Sequence, residues 1–406
     1  LSRTRTRRTR GAERARGCSM LSILAVAAWG AAPPVVTTAY GAVEGVHEFG
    51  CDVFHGVPFA APPLGDLRWA APVSPQVWDA TLPTKVAKPM CPQIDAVKGF
   101  SLGHEDCLYL SVYSPPQCTA ATPCPTMFWI YGGAWILGNN EEFSVYNAIN
   151  LALKGGIVVV AANYRVDVLG WIALEELALE ANGAYGNYGL QDQTFALEWT
   201  RDNAEAFGGD PMQVTIFGES AGGFSVCQHL TMPASNGLFS RAIIQSGDCS
   251  GPWLIQDGAN AQAFGDTYAT MIGCAKREGA AGAKERLACL RAKSPQDVME
   301  PYMKWFCPAH IKRPDDPWCG NNSVGSEAAV KPWPDGTPPL APICGWTAVI
   351  DGSDVGLPAS PFERILAGDV NRGPRGEKVA VVMGTNEGPF FISFVCMTSF
   401  VCSSNS

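Results

Sequence analysis

Apolar and polar positions alternate along the 406-residue chain in two distinct rhythms. Met127–Tyr131, Ile157–Ala162, Val214–Phe217, Ala242–Gln245 and Val379–Met383 are short, near-continuous apolar runs. Such runs suit strands buried on both faces of a parallel sheet. Between two of them, Leu190–Phe207 places Leu190, Leu197, Ala204 and Phe207 around charged Glu198, Arg201 and Asp202. That spacing predicts one amphipathic helix. Strands alternating with helices predict an α/β fold: a mostly parallel, doubly wound central sheet with helices on both faces. Sheets of this kind carry their active sites at the carboxyl ends of the strands. Nearer the start, Val35–Phe59 breaks into short apolar stretches separated by Gly, which predicts hairpin strands. Ala60–Pro92 is rich in Pro and Trp and reads as a surface loop region. A Pro-, Trp- and Cys-rich stretch with little periodicity, at about residues 293–342, reads as an irregular insertion over one end of the sheet.

Charge changes the picture at one end only. Residues 1–19 hold seven Arg and one Glu, a net of +6, so against a whole-chain charge of −9 the remainder carries −15. An acidic globular part excludes nucleic-acid binding, which needs a basic surface. The first Met is Met20, and an apolar run from Leu21 to Ala32 follows it. That run is too short for a stable membrane span but suits a signal-peptide core. Residues 1–34 are therefore expected to be a basic segment extraneous to the mature protein plus a signal-peptide-like segment. The α/β domain is expected over 35–406. Fifteen cysteines and one N-x-[ST] sequon, at Asn321, fit a secreted or secretory-lumen glycoprotein. No Cys/His spacing reads as a metal site, and no cofactor is called for. Nothing in the sequence sets the oligomeric state.

The candidate chemistry sits at strand ends. Val214–Phe217 runs into Gly218-Glu219-Ser220-Ala221-Gly222, and a helical pattern, Gly223–Leu230, follows. A G-x-S-x-G string between a buried strand and a helix is the setting of a nucleophile elbow, with Ser220 at its tip. An attacking serine needs donors for the oxyanion, each typically worth roughly 3–4 kcal/mol of barrier. The backbone N–H of Ala221 supplies one. Met127–Tyr131 leads straight into Gly132-Gly133-Ala134-Trp135, whose small residues let main-chain N–H groups approach a substrate.

Phe207–Gly222 resembles the active-site signature of the type-B carboxylesterases, the cholinesterase-like family of α/β-hydrolases. Glu105–Tyr113 resembles that family's second signature. Gly56–Pro63, Asn163–Arg165, Gly186–Gln193 and Gln245–Gly247 match it further, over roughly Val35 to Phe391. The resemblance implies Ser220 as nucleophile and Gly133, Ala134 and Ala221 as oxyanion-hole donors, with Ala134 where the family usually has Gly. Glu387, in Gly384-Thr-Asn-Glu-Gly388 beyond the last apolar run, matches the triad acid. The resemblance also implies the disulfides Cys91–Cys107 and Cys274–Cys289. Cys118–Cys124 fits a local bridge, and Cys307, Cys319 and Cys344 would tie the insertion.

The base is missing from this pattern. In α/β-hydrolases the order is Ser, acid, His. All five histidines, His47, His55, His104, His229 and His310, precede Glu387. His229 lies nine residues past Ser220, two and a half helical turns away, so it points out of reach. The expectation is a chain truncated at its C-terminus, with the catalytic His beyond it and little activity of its own. The implied function is a serine hydrolase that cleaves carboxylic esters through an acyl-enzyme, its partner a small-molecule ester or lipid. The alternative is a non-enzymatic, cholinesterase-like adhesion or binding protein. Pro92–Asp106 holds no Trp for a quaternary ammonium, which disfavours choline esters.

Overall fold

The structure, a computed structural model, describes residues 32–94, 101–141, 145–249, 255–306 and 346–385. Glu387, His310, Asn321, the basic opening and most of the 293–342 insertion lie outside the described residues. The chain divides into two compact units, Leu1–Ala32 and Pro33–Ser406, and the second carries the elements that follow.

Eight strands form the central sheet: β1 (Val46–Glu48), β2 (Cys51–Pro58), β3 (Tyr109–Ser114), β4 (Cys124–Ile130), β5 (Val158–Ala162), β6 (Gly209–Glu219), β7 (Arg241–Gln245) and β8 (Ala380–Gly384). Their spatial order is β8-β7-β6-β4-β5-β3-β2-β1. The five strands from β8 to β5 run parallel; β3, β2 and β1 continue the sheet antiparallel. The fold is thus an α/β-hydrolase sheet, mixed but mostly parallel, as the apolar runs predict. Val158 and Val160 of β5 belong to the main core, whereas Val159 between them packs with Ile149 and Ala152 in a second cluster. Side chains alternate across a strand, so these clusters cover opposite faces of the sheet.

Among the described residues, nine helices surround or extend it: α1 (Ile149–Gly155), α2 (Asp167–Trp171), α3 (Glu175–Glu180), α4 (Tyr188–Asn203), α5 (Ala221–His229), α6 (Gly258–Met271), α7 (Gly279–Arg291), α8 (Pro295–Phe306) and α9 (Pro361–Leu366). The main core takes Leu190, Ala196 and Leu197 of α4 and Ala221, Phe224 and Val226 of α5; α1 covers the other face. The hairpin expectation for Val35–Phe59 is met twice, by Val35–Thr38 against Gly41–Glu44 and by β1 against β2. Phe49 and Gly50, both at positive φ, close the second. Paired positive φ values match the right-handed twist of the strands they join.

Three local expectations need correction. The helix at Leu190–Phe207 ends at Asn203, and a 3-10 turn covers Ala204–Phe207. It is also buried almost all round, taking Gln191, Asp192, Gln193, Thr200 and Asn203 into the interior. Burial of such groups is tolerable where they are paired: Asp192, for example, takes both the Nε and Nη2 hydrogens of Arg165 at 2.8 and 2.7 Å, whereas Gln191 Oε1 has no partner among the described residues. The insertion begins as a helix, α8, with Pro295 at its start and Pro301 inside it. Pro is tolerated in a first turn. Finally, the Ala60–Pro92 loop is not only surface: Arg68 and Trp69 are buried, and Arg68 meets Glu105 with two bonds of 2.6 Å. Among the described residues, no helix is long and apolar enough to cross a membrane.

Candidate active site

Four parallel strands deliver their carboxyl ends to one edge. In register, Ile130 of β4 lies beside Gly218 of β6, Glu219 beside Gln245 of β7, and Gln245 beside Gly384 of β8. The segments leaving those ends are Tyr131–Trp135, Ser220 and Ser246–Gly247.

Ser220 joins β6 to α5 at φ 54°, ψ −123°. A left-handed φ on a non-glycine residue costs of order 1–3 kcal/mol and persists only where the surroundings impose it. Here they do. The Ser220 N–H donates to the Gln245 carbonyl at 2.9 Å, and the Ser220 carbonyl accepts from Phe224 N–H at 2.9 Å. A methyl group at Gly222 would sit 2.0 Å from the Ile130 carbonyl oxygen, and one at Gly218 would sit 2.5 Å from the Gly222 backbone. Only glycine lets strand and helix meet this closely. Ser220 itself stays half-exposed at the tip of the turn.

The Tyr131–Trp135 loop lies against that turn: a methyl at Gly132 would be 3.1 Å from the Ser220 Cβ. Gly133, Ala134 and Trp135 have φ of 103°, 57° and 60°. The Gly133 carbonyl accepts from the N–H groups of Ile136 and Leu137, both at 3.1 Å. The N–H groups of Gly133, Ala134 and Ala221 have no backbone acceptor among the described residues. Ala134 thus holds a left-handed backbone that glycine would adopt without cost. Trp135 anchors the loop: its Nε1 donates to Ser225 Oγ of α5 at 2.9 Å. Ser225 also receives Gln193 Nε2 at 3.3 Å.

The histidines fall elsewhere. His229 is fully buried at the end of α5, with Nε2 2.9 Å from Gln193 Oε1 and Nδ1 2.8 Å from Ser235 Oγ. Since an amide oxygen only accepts, Nε2 carries the proton and Nδ1 accepts from the serine. Burial pushes the ring's pKa down to about 3, so it is neutral and structural. Burial also lowers the His55 pKa, but the hydrogen bond and charge of Glu141, 2.5 Å from Nδ1, outweigh it and the net shift is upward. His47 pairs with Asp52, and His104 Nδ1 accepts from the Asp106 N–H. None of these four is bonded to Ser220.

Cysteines close disulfides at 91–107, 118–124, 274–289 and 227–249. The last, which the sequence reading missed, ties α5 to the segment after β7. Its only sequence signal is a pair of cysteines flanking the elbow helix and the next strand end. Cys51 is free and buried. Among the described residues, no cluster of His, Cys, Asp and Glu could hold a metal.

The carboxylesterase family model matches residues 32–399. Among curated proteins, the para-nitrobenzyl esterase of Bacillus subtilis is 43% identical over 219 residues, covering 52% of this chain and 43% of that protein. Liver carboxylesterase 1 of Oryctolagus cuniculus is 37% identical over 308 residues, covering 70% and 52%. Acetylcholinesterase of Gallus gallus is 41% identical over 259 residues, covering 61% and 32%. The chain thus spans about half, or less, of the length of these relatives. Among solved structures, a PNB esterase superposes with a TM-score of 0.68 at 30% identity, covering 87% of this chain and 63% of its own. A Geobacillus stearothermophilus carboxylesterase gives 0.69 at 29%, covering 89% and 63%. With nine-tenths of its length inside the family model and the family's sheet beneath its elbow, the chain belongs to the carboxylesterase family.

Proposed function

We propose that the protein is a serine hydrolase of carboxylic esters, with Ser220 as nucleophile and the N–H groups of Gly133, Ala134 and Ala221 as oxyanion hole. The observation that carries this is the left-handed Ser220 at a strand–helix junction, with the Gly132–Trp135 loop packed beside it. Ser220 Oγ bonds to the ester carbonyl carbon while its proton passes to a base. The carbonyl oxygen becomes an oxyanion facing the three donors. Collapse breaks the bond to the alcohol, which leaves with the proton. Water then repeats the sequence on the acyl-enzyme and releases the acid. Preorganised N–H groups lower the barrier because they need no reorientation as charge develops.

Glu387 serves as the acid that orients the base. The base comes from outside the described residues, since His47, His55, His104 and His229 are committed to other contacts. The substrate is a small-molecule ester or lipid, as the relatives' esterase names support. Four disulfides support a secretory-pathway location. Steady-state hydrolysis of an activated aryl ester by the full-length protein tests the reading. Ser220→Ala should lose at least about 10³-fold in kcat with KM little changed. A folded Ser220→Ala protein as active as the parent would remove Ser220 from the chemistry and favour a non-enzymatic binding role.

A further inference from the structure

The oxyanion loop is fastened at both ends to the segment leaving β5. At its start, Tyr131 and Tyr164 stack with ring centroids 4.1 Å apart. The Tyr164 hydroxyl donates to the Tyr131 carbonyl at 2.7 Å, and the Tyr131 hydroxyl donates to the Tyr164 carbonyl at 2.8 Å. At its end, the Asp167 N–H donates to the Trp135 carbonyl at 2.7 Å. Gly132, Gly133 and Ala134 span these two anchors.

The second anchor is unusual. Asp167 has φ of 56° and is only 2% exposed. Its Oδ1 accepts from the next N–H, that of Val168, at 2.6 Å, which closes the left-handed turn on itself. Among the described residues, no cation compensates the carboxyl. Arg165, two residues back, gives its guanidinium to Asp192 and lies over the Tyr188 ring of α4. Arg68, whose neighbour Trp69 bonds the Val168 carbonyl, is held by Glu105. Asp297 of α8 is exposed and bonded to Ser294. The loop itself brings Tyr131 and no charged side chain between Tyr131 and Leu137.

We propose that Asp167 is a positioning residue for the oxyanion loop, its backbone N–H holding the Trp135 carbonyl and its carboxyl closing the turn that aims that N–H. This rests on the oxyanion-hole assignment above. Burial pushes the acid's pKa up to about 7, against a smaller lowering by the Val168 N–H. The turn is therefore intact on the acid side of neutrality. Above it, a buried charge without a partner must draw in water or move outward, and either displaces the anchor. Activity should rise with pH as the histidine base deprotonates and fall again as Asp167 ionises.

The test compares the full-length protein with Asp167→Asn, which keeps the acceptor and cannot ionise. The rate of fluorophosphonate labelling at Ser220 is followed from about pH 5 to about pH 9. The parent should show a falling limb above about pH 7, approaching roughly tenfold per unit. Asp167→Asn should label at a comparable peak rate without that limb. An identical falling limb in both proteins, or none in the parent, would overturn the proposal. If neither protein labels at any pH, the Ser220 reading fails, and hydrogen exchange across Tyr131–Gly138 decides about Asp167 alone. Protection there, corrected for intrinsic rates, should drop between about pH 6 and about pH 8 in the parent and not in the variant; equal protection overturns the proposal. Should Asp167→Asn fail to fold, Asp167→Gly, at a φ glycine adopts freely, removes the acceptor along with the charge: its peak rate should drop and the falling limb should vanish, and a limb like the parent's overturns the proposal.

Discussion

Gly222→Ala tests the packing of the Ser220 turn against the Tyr131–Trp135 loop. The added methyl would lie 2.0 Å from the Ile130 carbonyl oxygen, 2.8 Å from the Ile130 carbonyl carbon and 2.8 Å from the Tyr131 carbonyl oxygen, where ordinary contact begins near 3.4 Å. All three are backbone atoms, so no side chain can swing aside. Either α5 lifts from β4 or the end of β4 retreats by about 1 Å or more, because close-packed interiors have no slack to absorb it. Overpacking of this kind costs about 1–3 kcal/mol of stability. Function should suffer more. Ile130 leads directly into Tyr131-Gly132-Gly133-Ala134, and a displacement of about 1 Å at a catalytic group costs on the order of 10²-fold in rate. The assay pairs urea unfolding with the fluorophosphonate labelling rate of Ser220. The expected result is a fall in the urea midpoint worth about 1–3 kcal/mol, with labelling slowed roughly 10²-fold at full foldedness. Gly155→Ala, on α1 at the opposite face, is the control: the nearest atoms to its methyl would be those of the Ile157 side chain, at 3.2 Å and beyond. It should leave labelling unchanged. A Gly222→Ala protein with parental midpoint and parental labelling would refute the packing argument.

Three further outcomes follow from other parts of the structure. His229 is held neutral in the fold with its pKa lowered to about 3, whereas the unfolded ring titrates near 6.5; its contribution is therefore complete above about pH 6.5 and lost towards pH 3, at up to about 1.4 kcal/mol per pH unit. His229→Gln should flatten the pH dependence of the urea midpoint in that window, and an unchanged slope would contradict the assignment. Replacing Cys227 and Cys249 together by Ser opens the bridge between α5 and the segment following Gln245, whose carbonyl holds the Ser220 N–H. Calorimetry should show a loss of about 2–4 kcal/mol, with slower labelling of Ser220; parental stability would assign the bridge no structural weight. Val381, Val382 and Met383 are 45%, 64% and 51% exposed along β8. A strand exposed in this way recruits other chains, so the protein should self-associate in sedimentation velocity, and a monodisperse monomer would contradict this.

The parallel strands were legible because each is buried on both faces, which leaves a solid apolar run: Val158–Ala162 is the clearest. Their ends were less so, since β6 extends back to Gly209 through residues with no apolar pattern. The elbow was legible because its glycines are dictated by backbone contact, which a short motif records. What remained hidden is pairing between distant polar groups. Gln193, Ser225, His229 and Ser235 form one buried network spanning α4, α5 and the turn beyond, and nothing local distinguishes them from surface residues. Arg68 and Glu105 are separated by 37 positions and hide a buried ion pair within a segment whose Pro content signals only loop. The left-handed Asp167 was equally invisible, because the apolar and polar alternation around it carries no trace of its φ.

The most direct test of the account is the position of a covalent acyl or phosphonyl adduct on the full-length protein, read by peptide mass spectrometry after brief exposure to an activated ester or a fluorophosphonate. The account predicts one adduct, on Ser220, absent in Ser220→Ala. A folded protein that carries no adduct, or carries it on another residue, would contradict it.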